Sequence, residues 1–176
     1  MPTSDTEGKD WAKQVIEDLN PSYVVDVGPG EGTYRMLGAA QDAHWVAVEA
    51  WGPYVEQFDL FNKYNWVIVS DIRHLDQYTI HHAPDLVILA DILEHMDRAE
   101  ARSVLTRMRG WARNVLVSIP LVHHDQEPFE GNYFEIHRQH WNHQQMVNEL
   151  GPGLVKHRKG DVLGYYLWSA DKVGRA

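Results

Sequence analysis

Acidic side chains stand at the ends of a series of short apolar runs, and that placement is where this sequence could do chemistry. The first run closes on Val24-Val25-Asp26-Val27-Gly28-Pro29-Gly30-Glu31-Gly32-Thr33. Glycines at 28, 30 and 32 let the backbone turn tightly and let a ligand approach the main chain. Asp26 and Glu31 bracket the loop. Two carboxylates repel a pyrophosphate and attract an ammonium or sulfonium group. The dinucleotide fingerprint G-x-G-x-x-G would need a glycine where Thr33 stands. The loop therefore suits a nucleoside-like ligand without phosphates.

The later runs end in the same way. Val46-Ala47-Val48 is followed by Glu49, 17 residues past Gly32, where an acid can accept two hydrogen bonds from a ribose diol. After Val69-Ser70 come Asp71, able to accept from an exocyclic amine, and Ile72, able to pack on a flat ring. The stretch Leu89-Ala90-Asp91-Ile92-Leu93-Glu94-His95 brings two acids and a histidine to the same edge. Residues 122–143 then collect His123, His124, Asp125, Glu127, Glu135, His137, His140 and His143. On a helix, the three-residue steps from His137 to His140 to His143 would spread over roughly 120° of arc, too far to converge on one ion. The expectation is therefore no metal site, with a zinc site built from a subset such as His123, His124 and His137 as the alternative. The preferred use is a lid and acceptor pocket. There His137, His124 and His140, in that order, are the candidates to remove a proton from an attacking hydroxyl or amine. Tyr133, Phe134 and Trp141 would shape an apolar wall.

These residues need elements to position them. The runs Tyr23–Val27, Trp45–Val48, Trp66–Val69, Leu86–Ala90 and Val115–Ile119 are short and rich in Val and Ile. They predict parallel strands buried on both faces between helix layers. A helix is predicted before the first strand, from Ala12, Val15, Ile16 and Leu19, ending at Asn20-Pro21. Further helical faces are Trp51, Tyr54, Val55, Phe58 and Ala101, Val104, Leu105, Met108, the latter capped by Asp97 and Glu100 and stopped by Gly110. A helix from about His140 to Leu150 and a hairpin of Leu154–Lys159 with Gly164–Ala170 complete the pattern. The expected fold is α/β, a doubly wound seven-stranded sheet with a C-terminal antiparallel hairpin. Residues 1–8 are expected as a disordered tail and 9–176 as a single domain.

The bulk properties narrow the partners. The chain has 176 residues, enough for one core. It has 16 basic and 25 acidic residues, a net charge of −9, which disfavours nucleic acid as a partner. There is no cysteine, which excludes disulfides, thiolate metal sites and cysteine nucleophiles. No membrane span and no apolar leader are expected, so the localisation expected is cytoplasmic.

The stretches VVDVGPGEGT, VAVEA, VSDI and DLVILADILEHM, in this order, resemble motifs I to IV of the class I methyltransferases that use S-adenosylmethionine. The resemblance covers roughly residues 23–120. It implies that Asp26 and Gly28, Gly30 and Gly32 hold the methionine end of the cofactor. Glu49, with Ala50 after it, would bind the ribose hydroxyls. Asp71 and Ile72 would recognise adenine, and Asp91, Ile92 and Leu93 would line the cofactor near its methyl group. The Asn/Asp-Pro-Pro-Tyr/Phe motif of DNA amine methylation is replaced by Asp91-Ile92-Leu93-Glu94. The Asp-Asn pair of the magnesium-dependent branch is replaced by Ile119-Pro120-Leu121. The function expected is methyl transfer to a small-molecule O or N acceptor, with a homodimer or a partner subunit as a way to complete the acceptor site. The alternatives are a non-catalytic S-adenosylmethionine-binding accessory protein and a NAD-dependent oxidoreductase.

Overall fold

Strands with no polar face must be covered on both sides, and the chain does this by alternating them with helices. The computed structural model describes residues 5–75, 79, 80 and 82–174. Seven strands form one sheet: β1 (Tyr23–Val27), β2 (His44–Glu49), β3 (Trp66–Val69), β4 (Leu86–Ala90), β5 (Asn114–Pro120), β6 (Leu154–Lys159) and β7 (Leu163–Ser169). Their order is β3-β2-β1-β4-β5-β7-β6. The first five pair in parallel, and β7 runs antiparallel to both β5 and β6. The direction of winding reverses between β1 and β4. The carboxyl ends of those two strands therefore open the crevice in which such sheets bind ligands.

One face of the sheet carries α5 (Arg98–Trp111) and α6 (His143–Leu150), whose Val104, Leu105, Met108, Met146 and Leu150 join Val25, Val87 and Val117 in one core. The other face carries α1 (Lys9–Leu19), α2 (Thr33–Met36), α3 (Gly52–Gln57) and α4 (Leu60–Lys63), where Ala12, Ile16, Tyr34, Val55 and Leu60 meet Val24, Trp45 and Ile88. Asp97 and Glu100 form the expected capping box at the start of α5. No helix among the described residues is long and apolar enough to cross a membrane.

Several boundaries differ from the sequence expectation. α5 runs through Gly110, because nothing there requires a left-handed residue, and ends at Trp111, with Ala112 as its C-cap. α6 begins at His143, where Asn142 and Gln145 build a capping box, so His137 and His140 precede the helix. β3 is an edge strand, and Trp66 and Val69 are exposed rather than covered. Of the expected tail, residues 1–4 lie outside the described residues, but residues 5–8 belong to the fold. The Glu7 carboxylate accepts the backbone N–H groups of Asp161, Val162 and Leu163, and Tyr165 Oη donates to the Glu7 carbonyl at 2.7 Å. These bonds tie the start of the chain to the β6–β7 turn and hold the Glu7 carboxyl below its usual range.

Candidate functional site

The loop after β1 takes the shape its glycines permit. Gly28, Gly30 and Gly32 have φ of 59°, 54° and 84°, a region that other residues enter at a cost. A Cβ at Gly28 would stand 2.2 Å from Ile92 Cδ1, so the loop after β1 lies directly against the loop after β4. Gly28 N–H donates to the Val48 carbonyl at 2.8 Å, and Lys63 Nζ donates to the Glu31 carbonyl at 2.8 Å. The Glu31 side chain is exposed, leaving Asp26 as the acid inside the loop. Only a single helical turn, α2, follows.

Asp26 is 1% exposed and takes a 2.6 Å hydrogen bond from Tyr64 Oη. Burial raises its pKa to about 7, against the pull of that hydrogen bond and of Lys9. Glu49, at the tip of β2, is buried too and accepts the Trp51 N–H at 2.8 Å. Burial also carries its pKa to about 7, and the charge of Asp26 adds to the rise. Two acids thus stand at the carboxyl ends of neighbouring strands, short of compensating positive charge. Ala50 is half-buried beside Glu49. Asp71 pairs with Arg73. Burial alone would raise its pKa, but Arg73 binds both of its oxygens through Nε and holds it below its usual value. Arg73 continues to Glu100 Oε1 at 2.9 Å. Ile72 and Leu93 are core side chains, Ile92 packs in part against the same core, and Asp91 is half-buried.

The raised acids give stability a sign. Asp26 and Glu49 bind protons more tightly folded than unfolded, so stability is lost as pH rises from their unfolded values through about 7. His95 acts oppositely: burial lowers its pKa to about 4, so its contribution is complete once the unfolded imidazole is neutral, above about 6.5. Between pH 6.5 and 8 the acids therefore decide, and the melting temperature of the ligand-free chain is expected to fall. A calorimetric pH series checks this. A rising melting temperature over that window would place the acids in water.

Asp91 follows β4 in a left-handed conformation, φ 54°. Its Oδ1 accepts from Ser118 Oγ at 3.0 Å, Ser118 Oγ lies 3.4 Å from Tyr34 Oη, and Lys9 Nζ donates to Tyr34 Oη at 3.2 Å. The sequence pattern did not reveal Lys9, Tyr34, Ser118 or Tyr64. The available signal was a tyrosine and a lysine at helix positions expected to pack or face water. Two buried side-chain atoms among the described residues lack a hydrogen bond of good geometry, and both stand at this rim. One is Tyr54 Oη, held near Asn132 and Glu135; the other is Glu94 Oε2. Orphaned polar atoms at the open edge fit a site made to receive a polar ligand.

Residues 122–143 fold back over the ends of β4 and β5; a single 3-10 turn, Tyr133–Glu135, is their only helical element before His143. The Arg138 and Gln139 N–H groups donate to the Glu94 carbonyl at 2.7 and 3.0 Å. A cleft of about 160 Å³ results, lined by Glu94, Pro120, His123, His124, His137 and His140 among others. All three candidate histidines thus reach one cleft. His137 is half-buried, with Nδ1 2.8 Å from the His124 carbonyl, whereas the side chains of His124 and His140 are exposed. His123 pairs with Asp125 at 3.2 Å and meets the His140 ring at 5.1 Å. Tyr133 and Phe134 are exposed, and Trp141 is a core residue.

Neither a family model nor a curated protein sequence matches the chain. Solved structures do. The chain is similar to the N-terminal domain of EvdMO1, crystallised in the presence of SAH and D-fucose, with a TM-score of 0.65 and 12% identity over 95% of this chain and 84% of that one. It is similar to the methyltransferase domain of bacterial CtHen1, with a TM-score of 0.69 and 16% identity over 92% and 96% of the two chains. Human N-acetylserotonin methyltransferase in complex with SAM gives a TM-score of 0.67 and 15% identity, over 93% of this chain and 51% of that one. The fold is that of the class I methyltransferases.

Proposed function

We propose that the chain transfers a methyl group from S-adenosylmethionine to an oxygen or nitrogen of a small-molecule acceptor. One observation carries this reading: Asp26 and Glu49, two buried acids, adjoin a left-handed glycine loop at the switch point of the sheet. A ligand for that site brings positive charge and hydroxyl donors rather than phosphate. Asp26 faces the amino-acid end, and Glu49 takes the ribose hydroxyls. The SAH and SAM named with the similar structures support the choice of cofactor. The four-residue α2 argues against a dinucleotide, because one turn supplies little dipole for a pyrophosphate.

When bound, the cofactor supplies a methyl group on a sulfonium, which is already a good leaving group. The chain's own task is then alignment and proton removal. Gly28 and Ile92 set the distance between the two loops that hold the donor. The cleft beneath residues 122–143 receives the acceptor, and His137, with His124 and His140 at its mouth, accepts its proton. A donor held by those loops would supply the methyl group and depart as a neutral thioether, so the chain would have no leaving group to protonate.

Calorimetric titration with S-adenosylhomocysteine, with NAD as control, tests the reading. Micromolar binding of the first and none of the second is expected. S-adenosylmethionine should bind more tightly at pH 8 than at pH 6, because Asp26 and Glu49 ionise around pH 7 and the ligand favours their charged forms. Binding of NAD alone would overturn the reading.

A further inference from the structure

Glu94 is not accounted for by donor binding. It is 3% exposed, and its Oε2 has no hydrogen-bond partner. An acid in such a place needs either a proton or a cation. Its neighbours supply the rest of a site. The rings of His95 and His137 meet edge to face at 4.9 Å. His95 Nδ1 lies 3.3 Å from the Ile136 carbonyl, and His137 Nδ1 lies 2.8 Å from the His124 carbonyl. A carbonyl only accepts, so both Nδ1 atoms carry hydrogen and both Nε2 atoms carry lone pairs. Carbonyls that fix the tautomer in this way are the usual support of metal-binding histidines.

We propose that Glu94, His95 and His137 hold a divalent first-row transition metal ion at the floor of the acceptor cleft. Their ligand atoms all lie within 4.8 Å of one another. Ligands on one such ion stand about 3.3 Å apart, given bonds of about 2.1 Å in tetrahedral geometry. Side-chain rotations that move these atoms by roughly 1 Å therefore close the site. Two imidazoles with one carboxylate favour manganese, cobalt or zinc over magnesium and calcium, which prefer all-oxygen shells. Three protein ligands leave positions open toward the cleft. The helical-arc reason for expecting no metal does not apply, because His137 lies outside any helix and its partners come from the turn after β4.

The role of the ion rests on the methyl-transfer reading; its binding does not. An acceptor hydroxyl on the ion loses its proton more easily. With the His137 lone pair bound to the ion, that proton passes not to His137 but to His124 or His140 at the mouth of the cleft. The oxygen's lone pair then forms the bond to the methyl carbon as the sulfur–carbon bond breaks, and the ether product leaves the ion. The site thus selects a hydroxyl acceptor over an amine.

Titration of the untagged, chelator-stripped chain with Co²⁺ tests the proposal through the cobalt visible absorption. One equivalent with low-micromolar affinity is expected. His137→Ala and the near-isosteric Glu94→Gln should each weaken it at least tenfold. His124→Ala should leave it unchanged, because that residue contributes its backbone carbonyl. Circular dichroism of each variant separates lost binding from lost folding. Cobalt binding that His137→Ala leaves intact would mean adventitious surface histidines, and no binding by the folded parent chain would also overturn the proposal. A parallel S-adenosylhomocysteine titration without metal keeps the two readings apart. Donor binding without cobalt binding rejects the ion alone, and cobalt binding without donor binding rejects methyl transfer alone.

Discussion

Replacing Glu49 by alanine is expected to weaken S-adenosylhomocysteine binding by about 1–3 kcal/mol, the scale of lost charge-assisted hydrogen bonds, or about 5- to 150-fold in Kd. The same substitution should not destabilise the ligand-free chain at pH 8. Glu49 is buried with a pKa raised to about 7, and its ionised carboxylate is a cost the folded state carries for binding. Its carboxylate accepts the Trp51 N–H, which lies next to the site. The signature is therefore a large loss of affinity with an unchanged or higher melting temperature. Glu49→Gln keeps an acceptor at the same place and should lose less affinity. Titration calorimetry and thermal melts of the three proteins check this. Unchanged affinity in the folded alanine variant would remove Glu49 from the site.

The acids at the strand ends were legible because their cause is local. A run such as Val46–Val48 has no polar face, so it must be a covered strand, and the first polar residue after it falls at the sheet edge. The hairpin and the Asp97–Glu100 cap were legible for the same reason. What the sequence concealed is long-range. Tyr64 reaches Asp26 across 38 positions, and Lys9 reaches Tyr34 across 25. No spacing rule covers such pairs, since they depend on which helix lies on which face. Strand order was equally hidden, which is why β3 was expected to be covered although it lies at the edge. The Asp71–Arg73 pair was within reach of the sequence, because two residues on in a turn is a recurrent position for an aspartate's partner. The gathering of His137 with Glu94 and His95 was missed because His137 was weighed only against the histidines of its own segment, and its partners lie more than 40 positions earlier.

The position of the segment from 122 to 143 depends on Trp141, and this gives the largest expected effect on stability. Trp141 is 1% exposed within the core shared with α5 and α6. Its Nε1 donates to the Leu93 carbonyl at 3.2 Å, and the Arg98 guanidinium lies 5.5 Å from its ring. It therefore pins the end of the segment to the turn that carries Glu94 and His95. Trp141→Ala should cost about 3–5 kcal/mol, the usual range for deleting a buried aromatic. For a chain of this length that corresponds to a melting temperature lower by about 6–20 °C. Trp141→Phe keeps most of the apolar contact and removes the N–H, so its smaller loss isolates the bond to the Leu93 carbonyl. The alanine variant, kept well below its melting temperature, should bind cobalt more weakly while retaining S-adenosylhomocysteine, because the donor loops lie on β1 and β2. Thermal melts and the two titrations decide this. A melting temperature within about 2 °C of the parent would contradict a core position for Trp141. Equal loss of both ligands would mean that the segment and the donor loops open together.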